Sequence, residues 1–282
     1  MPRAHALKLE NSVVAITGGA RGIGLAMAEA LTALGAKVSL GDIDDGLAQR
    51  EAARLGAHAA RVDVRDRESF AAFLQAAEAA LGPVDILINN AGIMPMGYFL
   101  DEAPGLSDAQ IDINFRGVIH GMQLALPGML ARRRGHVINI ASLAGRFAIP
   151  GSAVYTGTKF AVVGLTEAVA AEHRDAGVNF TVIMPSKVTT ELASGTEEAG
   201  RGIPAVSPQQ VAAAVVDSIR RPRLLVAVPD YLETAHSLYH LAPQWLRDTG
   251  RRLLGDNRIL LKLDKAAHAA YDRRIGALAK KP

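Results

Sequence analysis

The amino-acid sequence predicts an α/β protein: one doubly wound parallel sheet of about seven strands with helices on both faces, followed by a helical C-terminal extension. Two observations predict it. Short β-branched runs alternate along the chain with longer amphipathic stretches rich in alanine and leucine. A glycine-rich turn joins the first such run to the first such stretch. Parallel neighbours need crossovers, and crossovers of helical period cover both faces of the sheet.

Val-Val-Ala-Ile-Thr at 13–17 reads as the first strand, and residues 23–34 as the helix that returns from it. The unit repeats with a strand at 37–40 and a helix at 45–55, then a strand at 59–63 and a helix at 69–81. The apolar run at 85–89 leads into a long helix at 107–130, and that at 136–141 into a helix at 152–175. A strand at 179–184, a helix at 208–219 and a strand at 224–228 complete the pattern. No internal repeat is apparent, and no linker rich in Pro, Gly or Ser splits residues 10–229. Residues 1–229 are therefore expected to form one domain and residues 230–282 the extension.

Of 282 residues, 49% are hydrophobic and 21% charged, which excludes disordered, collagen-like and low-complexity chains. The absence of cysteine excludes disulfides, thiolate metal sites and cysteine nucleophiles, and fits a reducing compartment such as the cytoplasm. Residues 1–12 are polar, so no secretory signal is expected, and no uncharged apolar run approaches the roughly 18 residues of a spanning helix. A net charge of +3 is too weak and dispersed to point to nucleic acid. It is unevenly placed, however: from Asp230 onward ten Lys or Arg face six Asp or Glu, so the tail is basic.

The turn Thr17-Gly18-Gly19-Ala20-Arg21-Gly22-Ile23-Gly24 has the spacing G-x-x-x-G-x-G rather than G-x-G-x-x-G. Gly18, Gly22 and Gly24 let the backbone turn tightly against a ligand, and the helix N-terminus at Ile23 offers N–H groups to a pyrophosphate. Asp42 ends the second strand 18 residues beyond Gly24, where a carboxylate accepts from ribose hydroxyls and repels a 2′-phosphate. Arg21 cuts the other way, since a guanidinium could meet that phosphate. An acid beside a phosphate is actively unfavourable, so NAD is favoured over NADP.

Five further segments follow in order: Asp63-Val64, Asn89-Asn90-Ala91-Gly92, Asn114, Ser142 and Tyr155-Thr156-Gly157-Thr158-Lys159. On these motifs the chain resembles the short-chain dehydrogenase/reductase superfamily in its common soluble form, on a Rossmann-like fold. The resemblance implies that Asp63 meets the cofactor's adenine with Val64 beside it. It implies that Asn90, Ala91 and Gly92 steady the sheet next to the cofactor, and that Asn114, Ser142, Tyr155 and Lys159 form a catalytic tetrad. The stretch Pro185-Ser186-Lys187-Val188-Thr189-Thr190 resembles the family's nicotinamide segment P-G-x-V-x-T, with serine in place of glycine. Pro185, Val188 and Thr190 are accordingly expected at the nicotinamide. A homodimer or homotetramer, joined through helices such as those carrying Asn114 and Tyr155, is also implied.

Tyr155 and Lys159 are i and i+4 on a predicted helix, hence on one face. A nearby ammonium is expected to lower the phenol pKa towards neutrality, where Tyr155 can act as general base. Ser142 sits where the fifth strand ends, the edge at which ligands bind in open α/β sheets, and its hydroxyl can hold a substrate oxygen. Through the resemblance, Lys159 also hydrogen-bonds the nicotinamide ribose and Asn114 holds a water in a proton path. The reaction expected is reversible oxidation of a secondary alcohol to a ketone. A non-catalytic NAD(P)-binding regulator, or an NADP-dependent carbonyl reductase, is the alternative; an intact tetrad argues against the regulator.

Met94, Leu143, Phe147 and Ile149 follow central strands and are expected to line an apolar substrate pocket, beneath a candidate lid at 191–206. Glu233, His236 and His240 have helical spacing but no second ligand set, so no metal site is expected. In the tail, Tyr231, Leu232, Leu238, Tyr239, Trp245 and Leu246 recur at helical spacing, and Leu253, Leu254 and 259–261 are flanked by Arg251, Arg252, Arg258 and Lys262. The tail is expected to pack on the protein, near the substrate mouth or across a subunit interface; peripheral membrane contact is the alternative.

Overall fold

The computed structural model describes residues 6–193, 204–247, 249 and 264–276. In chain order its strands are β1 (Val13–Thr17), β2 (Lys37–Asp42), β3 (His58–Arg61), β4 (Ile86–Asn89), β5 (Gly135–Ile140), β6 (Val178–Pro185), β7 (Lys187–Val188), β8 (Ala205–Val206) and β9 (Leu225–Val228). Seven of them form one sheet in the order β3-β2-β1-β4-β5-β6-β9, every pairing parallel. β7 and β8 pair separately. The strand order reverses between β1 and β4, which opens a crevice at their carboxyl ends.

Strand alternation explains why both faces must be covered. In β1, Val14 and Ile16 join one apolar cluster and Val13 and Ala15 the other, and all four are buried. The first cluster lies under α1 (Gly22–Ala33), α2 (Asp45–Leu55) and, later in the chain, the helix over 208–220. The second lies under α3 (Arg67–Leu81), α4 (Pro104–Ile111), α5 (Gly117–Ala131) and α6 (Ala153–Glu172). α7 (Pro208–Arg220) starts in a capping box of Ser207 and Gln210 with Pro208 in its first turn. α8 (Tyr231–Leu241) and α9 (Lys265–Gly276) belong to the tail.

Several boundaries differ from the sequence expectation. β2 runs on to Asp42 rather than ending at 40, and β3 stops at Arg61, leaving Asp63 and Val64 on the turn after it. α3 begins at Arg67 because Asp66 accepts the Glu68 N–H and caps it. The long helix expected at 107–130 is interrupted: a π turn at Asp112–Arg116 separates α4 from α5. Periodicity alone cannot register such a wide turn, which in this chain serves the Asn114 side chain. Within the candidate lid, Glu191–Ala193 forms a 3-10 turn and Ala205–Val206 is β8. Residues 194–203, like Leu253, Leu254, 259–261, Arg251, Arg252, Arg258 and Lys262 of the tail, lie outside the described residues. No helix among the described residues is long and apolar enough to cross a membrane.

Candidate active site

The chain leaves β1 through Gly18, whose φ of +63° strains any residue with a side chain. A Cβ on Gly24 would run into the Gly18 carbonyl oxygen, so the close approach of α1 to β1 also requires glycine. Asn90 locks this turn: its Nδ2 donates to the carbonyls of Thr17 and Gly18, both at 3.0 Å. In return Thr17 Oγ1 accepts the Asn90 and Ala91 N–H groups at 3.1 and 3.2 Å. Thr17 was not singled out from the sequence; its place just before the glycines is the signal that could have found it. Arg21 occupies the α1 cap position, yet no side chain caps that helix and no acid stands in its first turn. Its N–H groups are left for an anion in the cleft, which suits a pyrophosphate.

Asp42 is buried at the end of β2, where one oxygen accepts the Ala20 N–H and the other the Asp44 N–H, each at 3.1 Å. A carboxylate oxygen that accepts one such bond keeps a lone pair for another donor. The Arg21 guanidinium lies 2.6 Å from Asp44, which also caps α2 by accepting the Leu47 N–H. Asp44 was likewise missed, although an acid just before a helical run is a recognised start signal. Burial would raise the Asp63 carboxyl, but hydrogen bonds from Arg65, 2.7 Å away at the closest, hold it below the ordinary carboxylate value.

Ser142 follows β5 at the carboxyl edge of the sheet. Its Oγ accepts the Ala144 N–H at 3.1 Å, lies 3.5 Å from the Pro185 carbonyl and lines the same cleft as the Tyr155 phenol. One helical turn beyond Tyr155 on α6, Lys159 donates from Nζ to the Ile140 carbonyl at 2.9 Å and stands 5.5 Å from the Tyr155 ring centre. Asn114 is fully buried behind them. Its Oδ1 accepts the Ile93 N–H and its Nδ2 donates to the Ile93 carbonyl, both at 2.8 Å, with Thr158 Oγ1 at 3.2 Å. Four residues scattered from 114 to 159 thus meet in one cluster.

The electrostatics correct one expectation. Burial pushes the Tyr155 phenol up to about 12, although the Ser142 hydroxyl pulls it down. Burial also pushes the Lys159 ammonium down to about 8. Desolvation of the ring outweighs the influence of the ammonium beside it.

The nicotinamide-like segment tolerates its serine. Ser186 donates its N–H to the Val228 carbonyl at 2.8 Å and its hydroxyl to Pro204 at 2.6 Å, and its backbone is outside the left-handed region. Cluster and glycine turn share one cleft of about 770 Å³. Every cofactor residue expected from the sequence lines it except Gly24, which lies behind the wall. Met94, Leu143 and Ile149 line it too, whereas Phe147 turns away to pack edge-on against Tyr239, with ring centroids 5.4 Å apart. Tyr271, Arg274 and Ile275 of α9 complete the wall, and nothing in the local sequence announces them. Among the described residues no group of His, Cys, Asp or Glu is arranged to hold a metal; the side chains of His236 and His240 lie outside them.

A family model described as short chain dehydrogenase matches residues 12–200. The chain belongs to that family of oxidoreductases. In this short chain dehydrogenase the matched span contains the whole Asn114, Ser142, Tyr155 and Lys159 cluster but stops before α7, β9 and α9. The chain is 39% identical over 188 residues to 2-(S)-hydroxypropyl-CoM dehydrogenase 3 of Xanthobacter autotrophicus, covering 65% of this chain and 74% of that protein. It is 35% identical over 222 residues to oxidoreductase UcpA of Escherichia coli, covering 77% and 83%. Among solved structures, a short chain dehydrogenase/reductase from Burkholderia phymatum in complex with NAD superposes with a TM-score of 0.75 at 28% identity, covering 83% of this chain and 94% of that one.

Proposed function

We propose that this short chain dehydrogenase is an NAD-dependent enzyme that interconverts a lipophilic secondary alcohol and its ketone, with Tyr155 as general acid and base. One observation carries the reading. Ser142, Tyr155 and Lys159, the last held on the Ile140 carbonyl, meet in the same cleft as an uncapped helix N-terminus. Ser142 holds the substrate oxygen while Tyr155 takes the hydroxyl proton in oxidation and returns it in reduction. Lys159 orients the phenol, and Asn114 ties the loop after β4 to α6 behind it. When bound, the nicotinamide supplies the hydride acceptor or donor at its C4. The names of two relatives agree with the reaction class, one being a dehydrogenase of a 2-hydroxypropyl compound and the other a dehydrogenase/reductase crystallised with NAD.

NAD is preferred in this reading because Asp42 and Asp44 both face the region of the adenosine ribose, and Arg21 is already paired. The apolar side chains of Met94, Leu143 and Ile149 favour a lipophilic substrate. We place the catalytic domain at 1–229 with 230–282 as an extension, in a cytoplasmic homodimer or homotetramer. NADH formation with a panel of secondary alcohols tests the activity, and a preference for sugars or charged hydroxy acids overturns the substrate class. For the cofactor, Asp42→Ala should narrow the NAD-over-NADP ratio of kcat/KM by about tenfold. A wild-type efficiency higher with NADP refutes the assignment.

A further inference from the structure

The family match ends at residue 200, yet α9, far beyond it, supplies part of the cleft wall. Tyr271 is only 1% exposed. Its phenol oxygen accepts the Met94 N–H at 2.8 Å, and its ring packs against His268 with 5.1 Å between centroids. Arg274 lies over that ring at 5.3 Å and reaches Glu191 at 2.6 Å. α9 is therefore tied to the loop after β4 and to the turn at Glu191–Ala193.

The Met94 bond uses Tyr271 only as an acceptor. Among the described residues no acceptor takes the phenol proton, and a buried O–H without one is costly. That proton belongs to a side chain on the wall of the cleft that holds Tyr155, and the two phenols are near enough to repel each other if ionised. The guanidiniums on the wall are each paired with a carboxylate: Arg21 with Asp44, Arg65 with Asp63 and Arg274 with Glu191. An anionic substrate group would compete with these carboxylates for a guanidinium. A neutral oxygen needs only the phenol.

We propose that Tyr271 is a specificity-determining residue that donates its hydroxyl proton to a second, uncharged oxygen of the substrate. The preferred substrates are then ketones or secondary alcohols that carry a further hydroxyl, carbonyl or ether oxygen on an otherwise apolar frame. This rests on the alcohol–ketone reading above and narrows it.

Straight-chain ketones of one length, with and without a second neutral oxygen moved along the chain, are the probes. Wild type and Tyr271→Phe are assayed with NADH, and the same probes are titrated into the NADH-bound proteins by fluorescence. Wild type should favour at least one oxygenated probe over its parent by about tenfold or more in kcat/KM or affinity, and Tyr271→Phe should erase that preference, over and above any loss common to all probes through Met94. Ile275→Ala, which loosens α9 without touching the phenol, should lower all probes together. Equal losses on every probe in Tyr271→Phe mean that the residue acts only through Met94, and the proposal fails. It fails equally if wild type has no preference, a result that needs no variant. Preferential binding without turnover supports the subsite and counts against the alcohol–ketone reading instead.

Discussion

At the scale of single residues, the proposed reaction depends on one proton carrier in a buried setting. Tyr155→Phe keeps the ring and removes the hydroxyl, so kcat should fall by about 10²–10⁴-fold while NAD affinity stays near wild type. Retention of a third of wild-type kcat would show the base to be wrong. Lys159→Ala should harm both turnover and cofactor binding, because its Nζ is anchored beside the phenol and faces the cleft. The pH dependence follows from the sign of the shift. Burial places the Tyr155 phenol at about 12, so its base form grows with each unit of rising pH below that value. Oxidation should therefore speed up from about pH 7 to 10, and reduction, which needs the protonated phenol, should not. Steady-state profiles in both directions check this, and an oxidation rate that falls across that range contradicts it. Tyr155 and Lys159 were legible as a pair because their i, i+4 spacing is a local property of one helix, whereas Asn114 and Ser142 were reached through the family resemblance. The phenol pKa was not legible, since desolvation depends on everything that surrounds the ring.

Among the elements, the contact of β1 with α1 is the tightest constraint on the cleft. A methyl at Gly24 meets the Gly18 carbonyl oxygen and the Asn90 amide, both fixed by backbone hydrogen bonds that cannot yield cheaply. Gly24→Ala should cost at least about 1–3 kcal/mol in chemical denaturation and weaken dinucleotide binding measurably. A variant with wild-type midpoint and cofactor affinity would mean that the turn can open. The break between α4 and α5 shows the same dependence on packing. Residues 107–130 have an uninterrupted apolar pattern, yet the π turn at Asp112–Arg116 sets Asn114 against the Ile93 backbone. One residue of extra winding decides where that amide points.

On the scale of the whole molecule, the parallel strand order places the strand ends that line the cleft along one edge. The glycine turn follows β1, the Asn90 segment β4, Ser142 β5 and the Pro185 segment β6. The tail closes over that edge: His268, Tyr271 and Ile275 of α9 are buried, although α8 exposes Tyr231, Leu238 and Leu241. Full-length protein should therefore not co-sediment with anionic liposomes, and a chain ending at Asp230 should lose solubility or substrate affinity rather than lipid binding. Salt-sensitive sedimentation that disappears on truncation would overturn this and restore the membrane alternative.

By itself, the sequence determined the parallel α/β plan and the glycine turn, and through the family resemblance it pointed to the Asn114, Ser142, Tyr155 and Lys159 cluster. The first two rest on short-range information: the period of apolar residues and the conformational needs of Gly18. Only the tertiary structure decided that Asp44 occupies Arg21, that Phe147 leaves the pocket for Tyr239, and that Tyr271 reaches Met94 across 177 residues of chain. Such contacts arise when separate elements dock on a common sheet edge, and no local pattern records which side chains that docking brings face to face.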